Sequence, residues 1–289
     1  MIPSIYLQVL INGILLGGLY ILLAIGLNIV TGVLKIINFA HGDLVMLGMY
    51  VAFWLSVFFG LNPLLILPSS FIVLGVIGLL SYVGVFSFVL RAGDFEHLLS
   101  TIGLGLLLQG LAQLLWKSDY RLLKFELPPL LIWNIYISPV MLSIFTISLF
   151  ASIILYMFLL KTRTGIFIRA VAQDSEMASL VGINKRKIHL ITTMIGFGFA
   201  GLAGGLLMLM FPAYPTAGFV YGLLAWVIMV IGGLGSVLGA FIGGLIIGII
   251  EVSFATFYNI ELARAVAFIL FITIIALKPS GLLGERARV

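Results

Sequence analysis

Long uncharged stretches alternate with short polar segments along the whole chain. The uncharged stretches cover residues 1–34, 44–90, 98–116, 127–160, 190–250 and 265–277. About 20 apolar residues are needed for a helix to cross the hydrocarbon of a membrane. The pattern therefore predicts membrane-spanning helices near residues 8–30, 42–60, 66–90, 98–116, 139–160 and 190–211. Alternating strands typical of a membrane barrel are absent from the sequence, so the spans are expected to be helices.

The last third of the chain needs a different division, because residues 216–257 are too long for one span. Gly232-Gly233-Leu234-Gly235-Ser236 lies in the middle of this stretch and predicts a break. We expect a short or re-entrant helix at 217–231, a helix at 237–257 and a final span at 263–278. The predicted fold is an all-α integral membrane protein, a polytopic helical bundle of about eight spans plus a broken helix near 217–257. Residues 1–289 form one transmembrane domain.

The composition supports a membrane location and excludes several functions. Only 9% of the residues are charged and the mean hydropathy is +1.30, whereas soluble domains are about one quarter charged. The net charge of +5 arises from loops beside the spans, so nucleic-acid binding is not predicted. The chain has no cysteine, and its three histidines are far apart in sequence, so no metal site is predicted.

A polar segment at residues 161–189 fixes the predicted orientation. It contains six of the fifteen Lys and Arg residues, and such loops stay in the cytoplasm. Counting spans from this loop places Lys35, Arg91 and the basic tail 278–289 inside, and the N-terminus and residues 211–221 outside. Residues 117–126 are also placed outside, although Lys117, Arg121 and Lys124 make that loop basic.

The same segment predicts a short helix with a defined start and end. Asp174 or Ser175 would begin the helix, and Gly182 would end it. A second short helix is predicted at 164–172. This region could present a helical knob to a groove on a partner protein. Alternatively, it could be an amphipathic connector lying on lipid headgroups.

A polar cluster, Asn38-Phe39-Ala40-His41-Gly42-Asp43, separates the first two predicted spans. In one interpretation it is a cytoplasmic turn, with Gly42 in the turn and Asp43 capping the second span. In the other it is a broken-helix element that lines a translocation path, since ionisable groups at membrane depth are costly and usually functional.

Several other residues are candidates for a pathway or its gate. They are Asn12, Asn28, Gln109, Gly232, Gly233 and Gly235. The polar members of this set could instead make ordinary hydrogen bonds between helices. The sequence lacks a nucleotide-binding P-loop, an H-E-x-x-H motif and a G-x-S-x-G motif, so an enzyme with its own ATPase site is not predicted.

Glu176-Met177-Ala178 with Gly182 resembles the E-A-A-x-x-x-G motif of ABC importer permeases, and the wider string Arg169-Ala-Val-Ala-Gln-Asp-Ser-Glu-Met-Ala-Ser-Leu-Val-Gly-Ile-Asn184 resembles their branched-chain amino acid subfamily. Met177 stands where that motif has its first alanine. Asn12-Gly13 with Leu16-Gly17, the string Ile37–Asp43, and Ile231–Ser236 are similar in order and spacing to the shorter permease of branched-chain amino acid importers. The resemblance covers residues 8–278.

This resemblance implies one transmembrane half of an importer in the plasma membrane, with 161–189 as its cytoplasmic coupling loop. It implies four protein partners: a second, paralogous permease, two cytosolic ATPase subunits that carry ATP-Mg, and an extracytoplasmic substrate-binding protein. Membrane lipids would surround the chain, which would itself bind no cofactor. The implied ATPase-docking residues are Asp174, Glu176, Met177, Ala178, Leu180 and Gly182.

Branched-chain or related neutral amino acids are the implied substrates. Relatives that carry urea, short amides or other amino acids provide an alternative. A different class, an ion-coupled secondary transporter, would use His41 and Asp43 as its coupling site. A membrane scaffold without transport activity is a third hypothesis.

Overall fold

The computed structural model describes residues 2–90, 92–123, 125, 127–132 and 135–284. The positions predicted for Arg91, Lys124, Arg286 and Arg288 lie outside the described residues. The helices are α1 (Ile2–Leu34), α2 (His41–Phe59), α3 (Pro63–Ser81), α4 (Ser87–Val89), α5 (Asp94–Trp116), α6 (Pro139–Lys161), α7 (Arg163–Gln173), α8 (Ser175–Leu180), α9 (Lys185–Leu207), α10 (Ala217–Gly232), α11 (Val237–Phe257) and α12 (Ile260–Leu277). A π-helical turn, Tyr82–Phe86, joins α3 to α4.

Among the described residues, eight helices are long and apolar enough to cross a membrane. The ninth apolar helix, α10, has only 16 residues and is separated from α11 by the predicted glycine-rich break. The predicted fold class is therefore confirmed. β1 (Leu130–Ile132) and β2 (Ile135–Ile137) form a small antiparallel hairpin between α5 and α6.

The predicted boundaries of the sixth span, 190–211, are wrong at both ends. Helix α9 begins at Lys185, because the Asn184 side chain accepts a hydrogen bond from the Lys187 backbone N–H at 3.1 Å. Three basic residues thus occupy its first turn, where a helix can continue outside the hydrocarbon. The helix ends at Leu207 and a turn follows, so hydropathy alone placed both ends too late.

Helix α1 forms the centre of the bundle and packs closely against α11. The two helices run antiparallel, with Gly13 against Ile249 and Gly17 against Leu245, and Gly32 lies against Gly235 in the break just before α11. A Cβ added at Gly17 would lie 3.0 Å from the Leu245 Cα, so a side chain there would push the backbones apart. Small residues thus allow the close approach that membrane helices need.

The two ends of the bundle carry the loops that the span count assigns to opposite sides. At one end, the Gln8 side chain exchanges two hydrogen bonds with the Tyr136 backbone, of 2.6 and 2.8 Å. Arg121 and Ala213 are paired through their backbones at this side of the bundle. Helix α6 starts beside this hairpin and ends at Lys161, so the 161–189 loop lies at the opposite end.

The basic loop at 117–126 departs from the charge rule, and part of the reason is visible. The Arg121 guanidinium forms an ion pair with Asp119 at 3.0 Å and lies 5.7 Å above the Trp54 ring. These contacts partly neutralise the charge and hold it against the protein. These contacts help to explain why a basic loop lies at the end of the bundle opposite the 161–189 loop.

Candidate functional site

The first candidate site is formed where the chain folds back into the bundle after α1. The chain reverses after α1 at Lys35, which has a φ of 56°. Helix α2 begins at His41, and the His41 Nε2 atom lies 2.9 Å from the Leu23 carbonyl oxygen. Leu23 precedes Leu34, the last residue of α1, by eleven residues, which corresponds to about 16 Å along a helix. A turn at the cytoplasmic surface does not fit this depth, because Asn38 and His41 are fully buried. Residues 39–40 form a turn inside the bundle, and a role of Asn38–Asp43 in lining a translocation path stays a prediction.

The Asp43 carboxylate is held by a neighbouring span rather than by the start of its own helix. Ala40, not Asp43, is the N-cap residue of α2 and no side chain makes a capping bond there, so a capping bond from Asp43 was wrongly predicted. Asp43 does lie in the first turn of α2, the position at which a carboxylate favours the helix dipole. The side-chain amide of Gln109 in α5 donates a hydrogen bond of 2.8 Å to Asp43 Oδ1. The Asp43 side chain also lies against Gly105 and Gly218, which leave space for it. This carboxylate therefore joins α2, α5 and α10.

Gly42 is a packing residue, and its predicted role in a turn is also wrong. It lies within the first turn of α2, directly against Gly218 and Gly222 of α10. A Cβ added at Gly42 would lie 2.6 Å from both the Cα and the N of Gly222. The neighbouring Phe39 ring stacks on Trp226 of α10 at a centroid distance of 5.1 Å. The start of α2 is therefore locked onto α10.

Two fully buried side chains of this element retain unsatisfied polar atoms. Asn38 Oδ1 accepts a hydrogen bond from the Ala40 backbone N–H at 3.1 Å. Asn38 Nδ2 and His41 Nδ1 find no hydrogen-bond partner among the described residues. Most buried polar atoms are paired, and exceptions often mark sites that act on a ligand. We call Asn38, His41, Asp43 and Gln109 the intramembrane polar layer; its role in a pathway stays a prediction.

The predicted break between α10 and α11 is present, and Asn28 of α1 holds it. The Asn28 amide donates hydrogen bonds to the carbonyls of Gly233 at 3.3 Å and Ser236 at 2.8 Å. Its Oδ1 accepts a hydrogen bond from the Gly235 backbone N–H. Gly233 and Gly235 have φ values of 115° and 78°, which glycine adopts readily. Asn28 thus satisfies the backbone of a break that would otherwise be exposed inside the bundle.

The described C-terminal residues close the other side of the same break. The backbone N–H groups of Leu282 and Leu283 donate hydrogen bonds of 2.9 Å to the carbonyls of Ile231 and Gly232. These carbonyls belong to the last turn of α10, where helix carbonyls have no partner within the helix. The break is therefore hydrogen-bonded on one side to α1 and on the other to residues 282–283. It lies at the end of the bundle opposite the hairpin.

Asn28→Ala is expected to lower the melting temperature of the purified protein in detergent. The substitution removes three hydrogen bonds and leaves buried backbone groups without partners, at a cost of about 1–3 kcal/mol. Asn12→Ala is the matched control, because Asn12 on the same helix is only partly buried and accepts one bond from Gln8, at 3.2 Å. Equal losses in the two variants would show that Asn28 does not hold the break.

The second candidate site is the predicted short helix in the 161–189 loop, which the structure contains as α8. The Asp174 side chain caps this helix by accepting hydrogen bonds of 2.9 Å from the backbone N–H groups of Glu176 and Met177. Gly182 follows the helix with a φ of 88°, and the Ile183 N–H bonds to the Ala178 carbonyl at 3.0 Å. The helix starts and ends where the sequence predicts.

The outer surface of α8 is apolar and exposed. Ala178 is buried against the bundle, whereas Met177, Leu180 and Val181 are 62%, 80% and 78% exposed. We call Met177, Leu180 and Val181 the docking knob. Sequence reasoning missed Val181, although its position directly after Leu180 at the end of the helix was a usable signal. An apolar projection at the end of a membrane bundle is typical of a surface that a partner protein covers.

The described helices, eight of which are long and apolar enough to cross a membrane, define a multi-pass helical membrane protein. The family model described as "Branched-chain amino acid transport system / permease component" matches residues 9–275. The chain belongs to this family, and the resemblance carried by its motifs is confirmed.

Named relatives match the chain over nearly its full length. The high-affinity branched-chain amino acid transport system permease protein BraD of Pseudomonas aeruginosa is 35% identical, over 97% of this chain and 96% of the relative. The corresponding protein LivH of Escherichia coli is 33% identical over the same shares. The probable branched-chain amino acid transport permease protein LivH of Methanocaldococcus jannaschii is 30% identical, over 96% and 92%. No solved structure matches the chain.

Proposed function

We propose that this permease subunit forms half of the translocation pathway of a plasma-membrane ABC importer for branched-chain amino acids. The single observation that carries the substrate assignment is the full-length similarity to relatives named as branched-chain amino acid permeases. A second, paralogous permease completes the pathway, and an extracytoplasmic binding protein delivers the substrate. Urea, short amides and other amino acids are the alternative substrates.

ATP is hydrolysed in trans by two cytosolic ATPase subunits that bind the docking knob. This proposal rests on the exposed apolar surface of α8 and on a sequence that contains no P-loop. Asp174 and Gly182 fix the conformation of the helix, Ala178 holds it on the bundle, and Glu176 adds an exposed charge beside the knob. The chain itself binds no cofactor.

Helix α9 provides the mechanical route from the docking knob to the intramembrane polar layer. It follows the knob after a short turn and packs against α1, α2 and α3. A Cβ added at Gly48 of α2 would lie 2.8 Å from the Gly201 Cα, so α2 and α9 touch through their backbones. A displacement of α9 by the ATPases would therefore be passed directly to α2. Movement of α2 against α10 would then change the surroundings of Asp43.

Purification of the tagged chain from native membranes tests the proposed assembly. We expect an ATPase subunit and a second permease to co-purify, and the reconstituted complex to take up labelled leucine only with ATP and the binding protein. Uptake of leucine by this chain alone, driven by an ion gradient without ATP, would instead support the secondary transporter. Uptake of urea or a short amide in place of leucine would change the substrate class.

The secondary-transporter hypothesis is favoured by one structural feature, the burial of Asp43 and His41 inside the bundle. Ionisable groups at this depth can couple ion movement to transport. It predicts that Asp43→Asn abolishes uptake by the isolated chain. The permease proposal assigns uptake to the ATP-dependent complex and predicts none by the isolated chain.

A further inference from the structure

Basic and acidic residues of the 161–189 loop lie in different segments of the loop. Residues 161–173 contain Lys161, Arg163 and Arg169 and no acidic residue. Residues 174–182, which comprise α8, its capping residue and its terminating glycine, contain Asp174 and Glu176 and no basic residue. Three further bases follow at 185–187, at the start of α9. An acidic segment that includes the apolar docking knob therefore lies between two basic segments that adjoin membrane spans.

The first turn of α7 lies at the membrane surface. Helix α6 is a membrane span that ends at Lys161, and α7 starts two residues later, with Thr162 as its N-cap. The Gly165 N–H donates a hydrogen bond of 3.0 Å to Thr162 Oγ1. A Cβ added at Gly165 would lie 2.6 Å from the Leu159 Cα, so α7 packs directly on the last turn of α6. This contact holds the start of α7 beside the end of the α6 span.

The outward face of α7 combines apolar and basic side chains. Ile168 and Val171 are buried against the bundle. Arg163, Ile166 and Phe167 are exposed and spaced as i, i+3 and i+4, so they share a face directed away from the bundle. Ile166 and Phe167 are 48% and 42% exposed. A helix with an exposed apolar face and flanking bases, beside the end of a span, is typical of a helix that lies in the membrane interface.

We propose that α7 is an interfacial anchor that binds anionic phospholipid headgroups of the cytoplasmic leaflet. Lys161 and Arg163 contact the phosphates, while Ile166 and Phe167 insert among the upper acyl carbons. Arg169 Nε donates a hydrogen bond of 3.0 Å to the Leu159 carbonyl, which ties the anchor to the end of α6. The anionic leaflet repels Asp174 and Glu176, so the docking knob is held away from lipid and is presented to the cytosol.

Quenching of single tryptophans by brominated lipids tests this assignment in the full chain. Phe167→Trp and Leu180→Trp variants are placed in phosphatidylcholine nanodiscs that contain either brominated phosphatidylglycerol or the same fraction of brominated phosphatidylcholine. The signal of the parent protein, which has four tryptophans, is subtracted. We expect Trp at 167 to be quenched more strongly by the brominated phosphatidylglycerol, and Trp at 180 to be quenched by neither lipid.

Charge-removal variants provide the second arm of the test. Lys161→Gln and Arg163→Gln, each in the Phe167→Trp background, are expected to weaken the preference for phosphatidylglycerol about fivefold per base. Lys117→Gln, at the opposite end of the bundle, is the matched control and should leave the preference unchanged. Three results would overturn the proposal: equal quenching by both lipids, no quenching at 167, or loss of quenching at 167 when the ATPase subunits are added. The last result would show that α7 is covered by protein.

Discussion

Gly42→Leu is expected to prevent the protein from reaching its folded state. A side chain at this position would collide with the backbone of α10 at Gly218 and Gly222, and backbone atoms cannot rotate away. Overpacking of a close helix contact costs typically 1–3 kcal/mol, and here we expect at least about 3 kcal/mol because both partners are glycine. The expected result is loss of monodisperse protein after solubilisation, measured by size-exclusion chromatography with a fluorescent tag.

Gly103→Leu is the matched control for this substitution. Gly103 lies in α5, another membrane span, and a Cβ added there meets no described atom within 4 Å. Both variants add the same side chain to a helical glycine, so effects on insertion or helix propensity are equal. If Gly42→Leu gave as much monodisperse protein as Gly103→Leu, the close contact between α2 and α10 would be wrong.

Leu180→Asp is expected to uncouple ATP hydrolysis from transport while the protein still inserts and folds. Leu180 is 80% exposed, so the bundle does not depend on it. In an ATPase groove, the variant would lose about 1.5–3 kcal/mol of apolar burial and would also bury a charge. We expect a loss of ATP-dependent uptake of more than about tenfold, since 1.4 kcal/mol corresponds to a factor of ten. The melting temperature of the isolated chain should be unchanged.

Gly182 gives a graded control for the same prediction. Its φ of 88° is a conformation that β-branched residues rarely adopt and asparagine tolerates. A Cβ at this position meets nothing within 4 Å, so any effect must come from the backbone turn rather than from a clash within the chain. Gly182→Val should therefore reduce coupling, whereas Gly182→Asn should retain most of it. Normal coupling in both Gly182→Val and Leu180→Asp would exclude docking through α8.

Hydropathy predicted the spans well because each is a nearly uninterrupted apolar stretch that lipid alone can stabilise. The break at Gly232–Ser236 was also predictable, since three glycines and a serine in five positions disfavour a continuous helix. The sequence did not identify what stabilises this break. Asn28 lies about 200 positions earlier in the chain, so its hydrogen bonds to Gly233 and Ser236 follow only from the packing of α1 against α11.

The polar cluster at 38–43 shows where local reasoning failed. A glycine beside a histidine and an aspartate fits a surface turn as well as a buried break. The residues that these side chains contact in the folded bundle decide between the two. The partner of Asp43 is Gln109, 66 positions away on α5. Gly42 is likewise explained by Gly218 and Gly222, which are distant in sequence. The short helix at 175–180 was predictable because its cap and its terminating glycine are both local.

Cysteine cross-linking to the ATPase tests most directly the central claim that α8 transmits ATP hydrolysis to the bundle. The chain contains no cysteine, so Leu180→Cys and Phe167→Cys each introduce a single reactive thiol. A bifunctional reagent is applied to native membranes, and the products are identified by mass spectrometry. We expect a cross-link from position 180 to an ATPase subunit and none from position 167. A cross-link to the ATPase from position 167 alone would contradict this claim.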